Sequence, residues 1–325
     1  MRHIRYALIG CGEHALQSHV LPGEQVQGLN LAMVCDPNQE AVHLVSTTLQ
    51  RDVPEFTEDE LDNDLYVDAV LIASPDRFHL STLERAVRAG KHVLCEKPMA
   101  TSVEEMVRLR AILAEATERR LVVTSCHPRR FDPSYVLLKM VLPDLIEKLG
   151  SIIAIGLDFS YHPPSERKTD LHHGLLIDHV NHELDLVNFL LGRSSTWMRR
   201  LSDSLTHYEA FGMRSDKVSL HFMGTRKLEE RIYPEYITIR FERGHALLET
   251  KSGIMKIHLH ESQTTMIKLL APTNYPTRFL GIMQNFADTI RGTAENYLTH
   301  EDLIDNSEVG VALTQTGVWA PDLLP

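Results

Sequence analysis

The amino-acid sequence contains no apolar run that approaches the roughly 18 residues needed to span a bilayer. Its start combines two basic residues, Arg2 and Arg5, with a short apolar stretch, as a secretory leader does. However, that stretch covers only residues 6–9, about half of the usual minimum, and glycines follow it at once. We therefore interpret this segment as a first β-strand, and we expect a cytoplasmic protein without a membrane partner.

Cysteine is scarce, and the four cysteines do not form pairs of the C-x-x-C type. Neither a zinc motif nor a thioredoxin-like motif is therefore indicated. Each of the four falls at or just after the end of a predicted strand: Cys11, Cys35, Cys95 and Cys126. We expect reduced thiols that fill tight space as small apolar residues. The alternative is a redox-sensitive thiol close to a ligand.

Dense positive charge is also rare. The chain carries 33 Lys and Arg residues against 44 Asp and Glu residues, which gives a net charge of −11. The basic clusters are short, namely Arg129-Arg130 and Arg199-Arg200. Because a protein that binds nucleic acid usually presents a basic surface, we expect no nucleic-acid partner.

The first 125 residues alternate regularly between apolar runs and helix-like segments. The helix-like segments are a stretch that ends near Val20 and residues 39–49, 78–89 and 103–119. The apolar runs cover residues 4–9, 29–35, 69–73, 92–95 and 121–125. Strands that alternate with helices in this way are typical of βαβ units, and continuous apolar runs are typical of strands covered on both faces. This half therefore predicts a Rossmann-type, doubly wound parallel sheet in an α/β protein.

The pattern changes after residue 125. A predicted helix at 134–148, a strand at 151–161 and a helix at 175–191 precede a series of strands, and two more helices close the chain. The strand-like segments cover residues 217–223, 236–242, 246–250, 255–261 and 265–270. Consecutive strands with helices to one side predict an α+β domain with a largely antiparallel, open sheet. Since 325 residues exceed the ~250–300 at which one core stops growing, we expect two domains, residues 1–125 and 126–325.

A glycine-rich turn joins the first predicted strand to its helix. Its residues fit the pattern G-x-G-x-x-[GA]: Gly10, Cys11, Gly12, Glu13, His14 and Ala15. The first glycine permits a tight turn, the second lets the backbone approach a pyrophosphate, and the small sixth residue lets the helix pack close to the strand. The helix N-terminus then offers N–H groups and partial positive charge to phosphates. The turn predicts dinucleotide binding; an ordinary βα turn is the alternative.

Asp36 ends the second predicted strand, 26 residues after Gly10. A carboxylate at this position accepts hydrogen bonds from the adenosine ribose hydroxyls and repels a 2′-phosphate. We therefore expect NAD rather than NADP as the cofactor. The run Asp36-Pro37-Asn38 also fits the start of a helix, and both roles can hold together.

Two further motifs follow predicted strands, at the sheet edge where doubly wound folds bind ligands. Ser74, Pro75 and His79 belong to S-P-x-x-x-H, and Glu96 and Lys97 belong to G-K-H-V-L-C-E-K-P. Together with G-x-G-x-x-A and R-R-F-D-P at residues 129–133, these motifs resemble the Gfo/Idh/MocA family of glucose-fructose oxidoreductase, inositol dehydrogenase and rhizopine-catabolism dehydrogenases. The resemblance covers most of the chain and is strongest up to about residue 190.

The resemblance implies an oxidoreductase that moves a hydride between NAD and a CH–OH carbon of a sugar, cyclitol or related small substrate. It places Ser74, Pro75, His79, Glu96 and Lys97 at the cofactor. It also implies a homodimer or homotetramer built with the sheet of the second domain.

An Asp-x-x-x-His pair on a helix of the second domain belongs to the same resemblance, and Asp178 and His182 match it. Four residues apart, the two side chains share one helix face, where a carboxylate can orient an imidazole that titrates near neutrality. We expect His182 to act as the general base in oxidation or the acid in reduction. The resemblance adds Lys97, whose charge would stabilise a developing alkoxide, and Asp178 would orient either group or bind a substrate hydroxyl.

The chain departs from the family near this pair. His172, His173 and Gly174 stand where the family shows a glycine triplet, and Val180 stands where it often has glycine. These bulkier side chains should reshape the substrate pocket. The candidates for substrate contact are Arg130, Tyr161, His162 and His173.

Three alternatives remain open at this point. The histidine-rich stretch at 162–182 could hold zinc, but its spacing is not H-E-x-x-H, and we expect no metal. Some relatives hydrolyse glycosides by transient oxidation with bound NAD, which would leave no net change in NADH. A non-catalytic dinucleotide sensor would have lost Lys97 and His182, and both are present.

Overall fold

The computed structural model describes residues 2–62, 66–160, 174–227 and 235–320. The chain forms two compact units, each described here by itself. Unit 1 comprises Met1–Pro128 and Pro276–Ser307, and unit 2 comprises Arg129–Tyr275 and Glu308–Pro325. A single boundary after residue 125 remains a prediction. The sequence pattern did not indicate that residues 276–307 belong to unit 1, because a helix that returns to an earlier unit leaves no local signal.

Unit 1 contains a parallel five-stranded sheet in the order β2-β1-β3-β4-β5. Its strands are β1 Ile4–Ile9, β2 Leu29–Cys35, β3 Ala69–Ile72, β4 His92–Cys95 and β5 Val123–Ser125. All four residues of β3 are buried, as a strand covered on both faces requires. The predicted Rossmann-type sheet is confirmed.

The described helices are, in chain order, α1 Glu13–Ala15, α2 Leu21–Gly23, α3 Gln39–Leu49, α4 His79–Arg88, α5 Val103–Glu118, α6 Pro133–Leu149, α7 Leu175–Leu191, α8 Tyr275–Arg291 and α9 His300–Gln315. Side chains cap the first turns of α3, α5 and α6. At the start of α5, the Ser102 hydroxyl accepts the N–H of Glu105 at 3.1 Å, and the Glu105 carboxylate accepts the N–H of Thr101 at 2.7 Å. In the four described ranges, none of the helices has the length and apolarity to cross a membrane.

The helix that follows the glycine-rich turn contains a wider turn in its middle. A π-helical turn, Leu16–Val20, separates α1 from α2. Such turns are rare and are often found at functional sites. The sequence predicted one helical stretch that ends near Val20, and the structure extends it to Gly23.

Unit 2 contains a nine-stranded sheet in the order β13-β12-β11-β10-β6-β9-β8-β7-β14. Its strands are β6 Ile152–Phe159, β7 Thr196–Asp203, β8 His207–Arg214, β9 Ser219–Thr225, β10 Glu235–Phe241, β11 Gly244–Glu249, β12 Ile254–Leu259, β13 Thr264–Leu269 and β14 Val318–Trp319. Every pair is antiparallel except β6 with β9. The predicted largely antiparallel sheet is confirmed. The sequence analysis missed β7, β8 and β14, because β7 carries two arginines and β14 is only two residues long.

The core of unit 2 lies between one face of this sheet and helices α6 and α7. Along β8, buried residues alternate with more exposed ones, so one face of the strand packs inward. Helix α7 has the predicted bounds and buries most of its length, including Leu176, Val180 and Leu184. This packing fixes which side of α7 remains accessible.

Candidate functional site

The predicted cofactor residues of unit 1 lie along one edge of its sheet. Each follows the carboxyl end of a strand: the glycine-rich turn follows β1, Asp36 follows β2, Ser74 follows β3 and Glu96 follows β4. Backbone hydrogen bonds continue the sheet into these loops, for example from Gly10 N–H to the Cys35 carbonyl at 2.9 Å. Because all five strands are parallel, these residues share the edge where such folds bind ligands.

The two glycines of the turn have different surroundings. Gly10 has a φ of +92°, and a Cβ on it would lie 2.5 Å from the carbonyl carbon of Ala73 and from the Ser74 nitrogen. Gly12 is exposed, and a Cβ on it would meet no atom within 4 Å. Gly10 therefore allows β1 and β3 to approach each other, whereas Gly12 leaves open space at the start of α1.

Asp36 is held beside the turn by backbone N–H groups. Its Oδ2 accepts the N–H of Cys11 at 2.7 Å, and its Oδ1 accepts the N–H of Asn38 at 2.8 Å. Asn38 in turn caps α3, because its side chain accepts the N–H of Glu40 at 3.0 Å. The sequence offered ligand binding and helix capping as roles for this segment, and the cap belongs to Asn38 rather than to Asp36.

His79 joins the loops that follow β3 and β4. Its ring is buried, with Nδ1 2.8 Å from the Pro98 carbonyl oxygen and Nε2 2.7 Å from the Ser74 carbonyl oxygen. The Lys97-Pro98 peptide bond is cis. These contacts of His79 fix the loop that carries Lys97. A contact between His79 and the cofactor remains a prediction.

Glu96 is buried between two histidines from the helix after β1. Its Oε1 accepts hydrogen bonds from His19 Nε2 at 2.6 Å and from His14 Nε2 at 3.0 Å. Burial alone would raise the pKa of this carboxyl, but the charges and hydrogen bonds of the two histidines outweigh burial and hold the pKa well below its usual range. The sequence analysis missed His19, because residues five apart do not share a face of an α-helix; the π-turn brings them together.

The four cysteines are free thiols. Burial, with the nearby charge of Asp36, raises the pKa of Cys11 to about 12. Burial also raises the pKa values of Cys95 and Cys126 well above the usual thiol range. Thiols that stay protonated are poor nucleophiles, so these side chains act as small packing residues, in agreement with the sequence-based expectation.

In unit 2, Asp178 and His182 lie on the accessible face of α7. Both are partly exposed, whereas the residues between them are buried. The Asp178 Oδ2 also lies 3.5 Å from the Nε2 of His179, whose ring stacks on Tyr208 with 5.4 Å between centroids. The packing of α7 therefore presents an acid and an imidazole, one turn apart, on the same side.

Helix α7 also carries buried acidic groups. Glu183 is fully buried, and its Oε1 accepts the hydroxyl hydrogen of Tyr208 at 2.8 Å. Burial raises the pKa of this carboxyl well above its usual range. Farther along the helix, Asp185 holds the Arg130 guanidinium through three contacts of 2.7–3.1 Å.

The four predicted substrate residues therefore have different outcomes. Arg130 is largely buried in its ion pair with Asp185, and its contact with a substrate remains a prediction. Tyr161, His162 and His173 lie outside the described residues.

The edge of the unit 1 sheet fits a dinucleotide in three respects. Gly12 leaves room for a pyrophosphate at the N-terminus of a helix. The hydroxyl oxygen of Ser74 is buried and has no hydrogen-bond partner among the described residues. The Asp36 carboxylate is oriented by one N–H group on each oxygen. Each oxygen has two lone pairs, so the carboxylate can accept further hydrogen bonds from a ligand.

Comparison with known proteins finds similarity to the family that the sequence motifs resemble. Residues 4–125 match the Gfo/Idh/MocA oxidoreductase family, which has an NAD-binding Rossmann fold. An inositol 2-dehydrogenase/D-chiro-inositol 3-dehydrogenase of Shouchella clausii is 29% identical over 208 residues, which cover 63% of this chain and 58% of that protein. An inositol 2-dehydrogenase of Saccharopolyspora erythraea is 38% identical over 119 residues, which cover 36% of this chain and 34% of that protein. The chain thus spans about half or less of the length of these relatives.

The fold is also found in solved structures. An oxidoreductase from Agrobacterium radiobacter, solved in complex with NAD+, L-tartaric acid and magnesium, matches with a TM-score of 0.82 and 17% identity, covering 98% of both chains. At this identity the likeness concerns the fold alone. Through its residues 4–125, the chain matches the Gfo/Idh/MocA oxidoreductase family, the family that its sequence motifs resemble.

Proposed function

We propose that this chain is an NAD-dependent dehydrogenase that acts on a CH–OH group of a small substrate. The observation that carries the proposal lies in unit 1, where the open space at Gly12 adjoins a carboxylate, Asp36, that the turn's own backbone holds in place. When bound, the dinucleotide would accept a hydride from the substrate carbon or return one to it.

The preference for NAD rests on Asp36. Its carboxylate is fixed by the N–H groups of Cys11 and Asn38, so it cannot readily turn away from a ligand. A fixed negative charge favours free ribose hydroxyls and disfavours a 2′-phosphate. We therefore infer NAD as the preferred cofactor, with NADP bound more weakly.

Lys97 supplies the positive charge in this proposal. It is partly exposed, whereas Glu96 and Pro98 on either side are buried. Its backbone N–H donates to the Glu96 carboxylate at 3.3 Å, and His79 holds the Pro98 carbonyl. An ammonium on a loop fixed in this way can stabilise negative charge on the substrate oxygen and help to relay its proton.

Asp178 and His182 supply the proton acceptor. The accessible face of α7 carries both side chains, and two buried acids, Glu183 and Asp185, anchor the helix. His182 takes the hydroxyl proton in oxidation and returns it in reduction. Asp178 orients the imidazole or binds a neighbouring hydroxyl of the substrate.

The proposed substrate is a cyclitol, sugar or related polyol. The relatives from Shouchella clausii and Saccharopolyspora erythraea are inositol dehydrogenases, which favours a ring with several secondary alcohols. Arg130, Tyr161, His162 and His173 are our candidates for contacts with it. We also propose that the protein works as a homodimer or homotetramer.

A substrate screen tests the proposal. The protein is incubated with NAD or NADP and a panel of inositols, sugars and sugar acids, while the absorbance of reduced nicotinamide is followed. We expect reduction of NAD with at least one polyol. If glycosides are cleaved with no net change in NADH, the transient-oxidation hydrolase is correct instead. Failure to bind either dinucleotide in a titration would overturn the proposal.

A further inference from the structure

We propose that His14, His19 and Glu96 form a binding site for one divalent zinc ion. Their ligand atoms are the two histidine Nε2 atoms and one oxygen of Glu96, which all lie within 4.8 Å of one another. Within the described part of the chain, this is the group of His, Cys, Asp and Glu side chains whose ligand atoms lie that close together. The sequence analysis expected no metal because it considered the histidines of residues 162–182, which are a different set.

The π-turn creates this arrangement. His14 and His19 are five residues apart. The π-turn, Leu16–Val20, begins two residues after His14 and contains His19. In a regular α-helix, residues three or four apart share a face, so this spacing would point the two rings in different directions. The wider turn directs both Nε2 atoms to the same carboxylate oxygen, at 3.0 and 2.6 Å.

A bound metal would replace the hydrogen bonds that now join the three side chains. Zinc binds a carboxylate oxygen and neutral imidazole nitrogens, all deprotonated at the bound atom. Each Nε2 now donates its proton to Glu96 Oε1, so zinc would displace that proton and bind the nitrogen in its place. Two histidines and one carboxylate are a common ligand set for zinc sites that keep a further position open.

Neighbouring groups orient the ligands. The backbone N–H of Lys97 donates to Glu96 Oε2 at 3.3 Å, which leaves Oε1 directed at the histidines. The Ser18 hydroxyl lies 3.2 Å from His14 Nδ1 and can accept its proton when Nε2 binds a metal. Phe279 packs its ring edge-to-face against both imidazoles, at 5.9 and 5.8 Å between centroids. Such outer contacts commonly fix metal ligands.

The site also has an entry path and room to adjust. The His14 side chain is 40% exposed, whereas His19 and Glu96 are buried, so an ion enters from the side of His14. Zinc–ligand bonds of about 2.0–2.1 Å require ligand atoms about 3.4 Å apart in a tetrahedral site. The His14–Glu96 distance of 3.0 Å must therefore widen by about 0.4 Å, which the half-exposed His14 ring allows, and the buried His19–Glu96 distance of 2.6 Å must widen by about 0.8 Å.

Zinc titration of the full chain tests this site without any dinucleotide. Chelator-treated protein is titrated with Zn2+ by calorimetry, and bound zinc is counted by elemental analysis. A second histidine cluster on the surface, His245, His258 and His260, has ring centroids 5.1–5.9 Å apart and could bind zinc weakly. The background protein is therefore the triple variant H245Q/H258Q/H260Q.

We expect one zinc ion per chain in the background protein. Adding His19→Gln or His14→Gln to the background protein should weaken zinc affinity by at least about 100-fold. Loss of a side chain that binds the metal directly should cost more affinity than the ~10–100-fold lost when a group that orients a ligand is removed. His14→Gln serves as the variant that keeps the buried pair of His19 and Glu96, and a thermal melt checks that each variant folds. Absence of bound zinc in the background protein, or zinc affinity in both added variants equal to that of the background protein, would show a hydrogen-bonded cluster only and overturn the proposal. Because no dinucleotide is present, this result is independent of the proposed dehydrogenase activity.

Discussion

Gly10 and Ala73 approach each other so closely that a single added carbon would not fit between them. A Cβ on Gly10 would lie 2.5 Å from the Ala73 carbonyl carbon, at a φ of +92°. Two residues later, a Cβ on Gly12 would meet no atom within 4 Å. The same motif therefore contains one glycine that the fold requires and one that leaves space for a ligand.

The two glycines should respond differently to alanine. Gly10→Ala should lower the free energy of unfolding by about 2 kcal/mol or more, because the methyl group meets backbone and the φ is strained. Gly12→Ala should leave stability within about 0.5 kcal/mol and weaken NAD binding, because its methyl group fills the space proposed for the pyrophosphate. Urea denaturation and NAD titration of both variants measure these effects, and each variant serves as the other's control. Unimpaired NAD binding by Gly12→Ala would place the dinucleotide elsewhere.

Asp36 should set the preference for NAD. Asp36→Asn removes the negative charge while an amide oxygen can still accept a backbone N–H. We expect NAD affinity to fall by about 10- to 100-fold, as loss of a hydrogen bond to a charged group implies, and NADP affinity to hold or rise. Asp52→Asn changes an exposed acid of unit 1 and is the matched control. A parallel loss of affinity for both dinucleotides would contradict the role given to the carboxylate.

Lys97 and His182 should be kinetically coupled. Lys97→Met and His182→Gln should each lower kcat by about 10²- to 10⁴-fold, the usual contribution of a positioned proton-transfer or charge-stabilising group. NAD binding should persist in both. The double variant should lose little beyond the worse single variant, because residues that act as a unit are not additive.

Steady-state kinetics with the substrate found in the screen measure this coupling. Lys251→Met removes an exposed lysine of unit 2 and should keep normal turnover. Fully multiplicative losses in the double variant would mean that the two side chains act independently, and normal turnover of Lys97→Met would remove the lysine from the mechanism.

Glu183 should make the protein less stable as the pH rises. Its pKa is raised by burial, so the folded protein keeps a proton that the unfolded chain loses above about pH 4.5. The folded state then binds more protons than the unfolded state, and the free energy of unfolding falls with pH by up to about 1.4 kcal/mol per unit until the raised pKa is reached. Glu183→Gln keeps an acceptor for the Tyr208 hydroxyl and removes this loss.

Urea denaturation at several pH values compares the two proteins. We expect Glu183→Gln to match the wild type near pH 4 and to be more stable by a margin that grows toward pH 8. Glu118→Gln, which changes an exposed acid of α5, should show no such trend. Parallel stability curves for wild type and Glu183→Gln would mean that the buried carboxyl is ionised in the folded protein.

Much of the fold could be predicted because its signals are local. The bounds of β1, β2, β4 and α7 follow directly from apolar runs and helical periodicity, and the structure reproduces them. The strands β7 and β8 could not be found in this way. Charged and polar residues interrupt their apolar residues, so pairing between neighbouring strands, rather than an apolar pattern, defines them.

The sequence by itself determined the class of site, because a glycine turn, an acid at a strand end and an E-K-P loop each make a demand within a few residues. Only the tertiary structure decided which groups meet across long stretches of chain. His19 contacts Glu96 from 77 residues away, and Asp185 contacts Arg130 from 55 residues away. Such contacts depend on how packed elements place their faces and on one π-turn, and spacing in the sequence does not encode them.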